Sequence, residues 1–106
     1  AVGYFEDKSN ISYALSLIPV DPTKRGWRLV VFSKRKTGTY VEVILDQHGN
    51  FTGAGFLYKT APGKYTDMYK FESVQPVTDG VILETDKGAI LYYWGKDRYR
   101  KFVLRD

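Results

Sequence analysis

Tyr40-Val41-Glu42-Val43-Ile44-Leu45-Asp46-Gln47-His48-Gly49-Asn50-Phe51-Thr52-Gly53-Ala54-Gly55-Phe56-Leu57-Tyr58-Lys59 is the stretch whose reading decides the fold. Val41, Val43 and Leu45 alternate with Tyr40, Glu42, Ile44 and Asp46, the period-2 pattern of a half-buried strand. The polar run Asp46-Gln47-His48-Gly49-Asn50 follows. Gly49 suits the positive φ of a short hairpin loop, and Asp46 and Asn50 are turn formers. The stretch therefore predicts a hairpin, with Gly53-Ala54-Gly55 inside its second strand. Glycine weakens a strand interior and marks a bulge, a bend or a close backbone approach. A bend at this point favours a sheet that curls into a barrel.

Upstream, Trp27 to Lys34 reads as a strong strand, and Val30, Val31 and Phe32 put apolar groups on both of its faces. Arg35-Lys36-Thr37-Gly38 is a basic turn, and Asp21 to Gly26 a loop by composition. From Ile11 to Val20, Ile11, Tyr13, Leu15 and Leu17 alternate with Ser12, Ala14, Ser16 and Ile18. Ala1 to Asn10 is a polar lead-in with Tyr4 and Phe5 as its large apolar groups. Downstream, Thr60 to Lys64 is a break around Pro62-Gly63, and Tyr65 to Met68 extends it. Tyr69 to Val77 reads as a strand weakened by Pro76. Thr78-Asp79-Gly80 is a hairpin signal. Val81 to Thr85 and Ala89 to Trp94 flank the turn Asp86-Lys87-Gly88, and Gly95-Lys96-Asp97 leads to a closing strand, Arg98 to Leu104.

Seven or eight short strands at this spacing predict an all-β fold. Short connections place sequence neighbours side by side, so the expectation is an antiparallel meander, a closed or nearly closed up-and-down β-barrel. The 106 residues form a single β-barrel domain in this reading. An aromatic content of 16% supports β structure. The absence of cysteine excludes disulfides and thiolate chemistry. A net charge of +4 is compatible with an acidic partner without demanding one. No apolar run reaches membrane-spanning length. A start at Ala1-Val2 without Met fits removal of a leader, and with it a secreted or periplasmic location. Asn10-Ile11-Ser12 and Asn50-Phe51-Thr52 match the glycosylation acceptor pattern.

Chemistry-bearing motifs are scarce. The single histidine, His48, falls in the expected turn with nothing to fix a second metal ligand or a partner acid. Glu42, Glu72 and Glu84 lie on strands and read as solvent-facing. There is no Gly-x-Ser-x-Gly elbow, and Gly53-Ala54-Gly55 lacks the third glycine of a dinucleotide fingerprint. No catalytic residue, metal ligand or cofactor is assigned. Lipocalins share the meander-and-barrel logic, but Gly26-Trp27 lacks the residue that separates glycine from tryptophan in their opening signature.

The densest unusual stretch is Tyr92-Tyr93-Trp94-Gly95-Lys96-Asp97-Arg98-Tyr99-Arg100-Lys101. Aromatic faces beside guanidinium groups anchor protein partners or stack bases and sugars. Leu91 and Tyr93 are expected to point inward, leaving Tyr92 and Trp94 outside near Arg98 and Arg100. Tyr92, Trp94, Arg98, Tyr99 and Arg100 form the candidate binding site. The resulting expectation is a non-enzymatic binding module that recognises a protein partner or a small apolar or sugar-like ligand. A nucleic-acid-binding barrel is the first alternative. An enzyme with an acid–base pair in a barrel cavity is the second.

Overall fold

A computed structural model describes residues 1–17, 23, 26–34, 37–48, 55–67 and 69–105, the side chain of His48 excepted. The described residues hold ten strands and no helix. β1 (Val2–Gly3), β2 (Ser12–Leu17), β3 (Trp27–Lys34) and β4 (Tyr40–His48) form one antiparallel sheet in that order. β5 (Gly55–Thr60), β8 (Gly80–Thr85), β9 (Gly88–Gly95) and β10 (Arg98–Arg105) form a second, ordered β10-β9-β8-β5. β6 (Tyr65–Thr66) and β7 (Ser73–Val74) make a small hairpin inserted between β5 and β8. Among the described residues neither four-stranded sheet closes on itself, and no ladder joins the two.

The hairpin expected from Tyr40–Lys59 is therefore not formed. β4 pairs with β3, and β5 pairs with β8 in the other sheet. Asp46, Gln47 and His48 are the last ladder residues of β4, opposite Leu29, Arg28 and Trp27, rather than a turn. A register shift between Leu29 and Val30 leaves Leu45 as the extra residue of a bulge, so Asp46 keeps its place on the core side. The expected turn residues Gly49 and Asn50, together with Gly53, lie outside the described residues. Gly55 is a close-approach glycine. A Cβ there would sit 3.0 Å from the Glu84 carbonyl oxygen and 3.1 Å from Thr85 Cγ2.

The core lies between the sheets. Ala14, Trp27, Leu29 and Val31 from the first meet Val81, Leu83 and Tyr92 from the second, with Phe5 buried among them. The lead-in thus supplies the short strand β1 and, around the buried Phe5, a packed strap. The Tyr4 amide donates to the Asp79 carboxylate at 2.9 Å, the Asp79 amide donates to the Tyr4 carbonyl at 3.0 Å, and Thr78 Oγ1 donates to the Phe5 carbonyl at 2.8 Å. These bonds occupy Thr78-Asp79, which was expected to turn a hairpin and instead joins β7 to β8 in a different sheet.

The β8–β9 centre of the second sheet is covered on both faces. Ile82, Ala89, Leu91 and Phe102 form an outer cluster, and Tyr65 and Val74 of the β6–β7 hairpin pack on it. Double coverage corrects the expected orientation of β9: Leu91 and Tyr92 are both buried, on opposite faces. Of Tyr69–Val77, expected as a strand, only Ser73 and Val74 are strand, and residues 69–72 lie in the loop of this small hairpin, beside the buried Asp67. Its carboxylate accepts the Tyr69 amide at 2.8 Å, and its backbone pairs with Glu72 and Phe71. Within the β9–β10 turn, positive φ falls on Lys96 (53°) and Asp97 (70°), the primed geometry that matches the strand twist.

Candidate functional site

Three places on the molecule concentrate unusual side chains. The first is the gap between the sheets. Tyr92 Oη donates to Asp46 Oδ2 at 2.7 Å, and Lys101 Nζ donates to the same oxygen at 3.0 Å, so β4 is tied to β9 and β10. Burial works to raise the Asp46 carboxyl, but the Tyr92 hydroxyl, the Lys101 ammonium and the Gln47 amide outweigh it and hold it below its usual value. Burial first, and then the Asp46 charge, push the Tyr92 phenol well above its ordinary range. A second knot joins Glu6 to Tyr99 Oη, which donates at 2.8 Å, and to the Ser33 hydroxyl, which is itself 2.8 Å from Ser12 Oγ. Both carboxylates are held by neutral or cationic donors. That arrangement ties the two sheets to each other.

The second place is the end of the β9–β10 hairpin, where the sequence put the candidate site. The five residues do not gather on one surface. Tyr92 is only 2% exposed. Period 2 carries Tyr92 and Trp94 on the core side of β9, where Trp94 opposes Tyr99 and meets it edge to face, ring centroids 4.9 Å apart. Tyr99 also packs on the core. Arg100 Nε donates to the Gly95 carbonyl at 3.1 Å, and Arg98 is exposed beside the turn. Trp94 and Tyr99 thus use one ring contact on each other, which leaves less open ring surface for a stacked base or sugar.

The third place was not singled out from the sequence. On the outer face of the first sheet, Val2, Tyr13, Leu15 and Leu17 stand beside Phe32, Tyr40 and Ile44. Leu15 and Ile44 flank Val30 on the ladder, and Tyr13 and Tyr40 approach across β3 with ring centroids 6.3 Å apart. Leu15 is 44% exposed and Ile44 46%, whereas Val30 between them is fully buried, the floor of a shallow recess. The large side chains on this face stay about half exposed. The cause is an inversion of β2. Its small residues Ser12, Ala14 and Ser16 face the core, where Ala14 is fully buried and Ser16 Oγ accepts the Trp27 indole N–H. The large Tyr13, Leu15 and Leu17 therefore face out. The signal for this was the pair of apolar faces on Trp27–Lys34, which implies a covering on both sides.

A recess of about 150 Å³ lies at one end of the second sheet, lined by Leu83, Ile90 and Val103 together with Lys87 and Arg105. Among the described residues no group of three or more His, Cys, Asp or Glu side chains could hold a metal ion, and no helix is long and apolar enough to cross a membrane. No protein-family model, curated protein or solved structure matches the chain.

Proposed function

We propose that the chain is a non-enzymatic binding module, a flattened and open form of a small β-barrel, that recognises a protein partner through the outer face of its first sheet. One observation carries this reading: the asymmetry of the two sheets. The second sheet has an apolar outer face and its own hairpin packs on it. The first sheet has an outer face with Tyr13, Leu15, Leu17, Tyr40 and Ile44 all at least 39% exposed. Scattered surface leucines are ordinary, but a contiguous apolar sheet face of several hundred Å² marks an interaction surface.

The pair Leu15→Lys and Ile44→Lys tests the reading. In dilute protein the double variant should melt within a few degrees of the parent and lose binding of a hydrophobic reporter dye. A collapse of the melting temperature would show that the face belongs to the chain's own core, and the reading would fall. A small apolar ligand in the recess beside Ile90 and Val103 is a second reading, favoured by the apolar lining and two adjacent cations. Ile90→Trp would fill that recess and abolish such binding without touching the sheet face.

A further inference from the structure

We propose that the open edge of β10 takes up an extended acidic peptide, which joins the second sheet as a further antiparallel strand. This surface is separate from the outer face of the first sheet. β10 (Arg98–Arg105) ends the order β10-β9-β8-β5, so among the described residues one of its sides carries no ladder. The β9–β10 turn decides which backbone groups face that side. Gly95 and Arg98 flank the two-residue turn Lys96-Asp97, whose residues both have positive φ, so they form a hydrogen-bonded pair. Pairing alternates from there. Arg100 and Phe102 bond to β9, and the amides and carbonyls of Lys101 and Val103 point outward. A register shift beyond Val103 ends the regular part of the edge at that residue.

Charge selects the occupant. β10 carries Arg98, Arg100, Lys101 and Arg105 and no acid. Such a row opposes pairing with a second copy, because β10 laid against β10 brings the cations of both strands together. The same row attracts an anionic strand. Alternation puts Arg98 and Arg100 on the outer face, where their ladder neighbours Gly95 and Tyr93 carry no acid. Arg98 is exposed, and Arg100 Nε donates to a backbone carbonyl rather than to a carboxylate. Glu6 and Asp46 lie on the other face, between the sheets, where Tyr99 and Ser33 hold the first and Tyr92 and Lys101 the second. Asp97 stands in the turn before the strand. A peptide with acids at alternate positions therefore sets them beside Arg98 and Arg100 while its backbone bonds to Lys101 and Val103.

Fluorescence anisotropy of the full chain with a labelled, end-blocked peptide, Glu-Val-Glu-Val-Glu-Val, tests this. The peptide should bind with a Kd below about 1 mM. Its counterpart with lysine for glutamate should bind at least about tenfold more weakly. A copy N-methylated at each valine keeps the charge and loses the donors that face Lys101 and Val103, and it should weaken by about tenfold or more as well. Arg98→Glu with Arg100→Glu should weaken the acidic peptide by a similar factor at an unchanged melting temperature. If that pair unfolds the chain, Arg98→Ala alone should still weaken binding by about threefold. Absence of binding by the acidic peptide at about 1 mM would overturn the inference. An N-methylated peptide that binds as tightly as the plain one would show charge attraction without an added strand, and would overturn it too. Leu15→Lys with Ile44→Lys should leave the affinity unchanged. A loss there would put the peptide on the first sheet and remove the β10 site.

Discussion

Asp46 shows how one side chain can be misread when its neighbours are unknown. In the sequence it precedes Gly49 and Asn50 and looks like a turn former. In the fold it is the carboxylate on which Tyr92 and Lys101 converge from the opposite sheet. Nothing local in the sequence specifies partners 46 and 55 residues away. Asp7 is the opposite case, because its partners are local. It accepts the Ser9 hydroxyl and amide at 2.7 Å and the Asn10 amide at 2.9 Å. The Ser9 hydroxyl, then the Ser9 amide and the Asn10 groups, hold its carboxyl down at about 2, from an ordinary 3.8. A carboxyl held below its unfolded value contributes stability that is present above about 3.8 and is lost as the pH falls toward about 2. Asp46 acts with the same sign. Asp7→Asn should therefore be less stable than the parent at pH 6, with the gap closing as the pH falls from about 4 to about 2, followed by thermal unfolding at each pH. A gap that stays constant or widens in acid would show that the Asp7 turn contributes nothing through its charge.

At the scale of elements, the strands were legible because period 2 is a property of the chain alone. Trp27–Lys34 is observed as read, and the turn at Asp86-Lys87 joins β8 to β9 as expected. Two things were not legible. Period 2 says that two sets of residues face apart but not which set is inside. On β2 the small set went in because Trp27 and Phe5 fill the space opposite it. Pairing was also hidden, since adjacent strands can belong to different sheets, as β4 and β5 do. The glycine argument survives in part, at Gly55 against β8. A valine at that position gains about 0.5–1 kcal/mol from backbone restriction and β propensity. It must also displace the Glu84 carbonyl oxygen, which is fixed in the β8 ladder, and forced overpacking costs about 1–3 kcal/mol. The clash wins, so Gly55→Val should lower stability by about 1–2 kcal/mol in a denaturant titration. An unchanged midpoint would mean that the edge strand shifts freely and that Gly55 has no structural role.

For the molecule as a whole, the sheets divide the labour. The β8–β9 centre of the second sheet is buried on both faces, and the Tyr4–Glu6 strap and the Asp46 and Glu6 knots tie it to the first sheet. The first sheet gives one face to the core and displays the other. The aromatic–basic stretch at Tyr92–Lys101 drew notice in the sequence because composition is visible there. Most of those aromatics serve the core instead. The displayed face is assembled from four separate strands, and its members stand out only once the register is known. The account stands on the orientation of β2, and the lack of native cysteine allows it to be measured cleanly. Alkylation rates should be compared for two single variants, Ala14→Cys and Leu15→Cys, in folded, dilute protein. The thiol introduced at position 15 should react close to the rate of an unfolded peptide, and the one at 14 more slowly by about a hundredfold or more, limited by opening of the core. Rapid reaction at 14 with protection at 15 would put the large residues of β2 inside, and would remove both the displayed face and the function read from it.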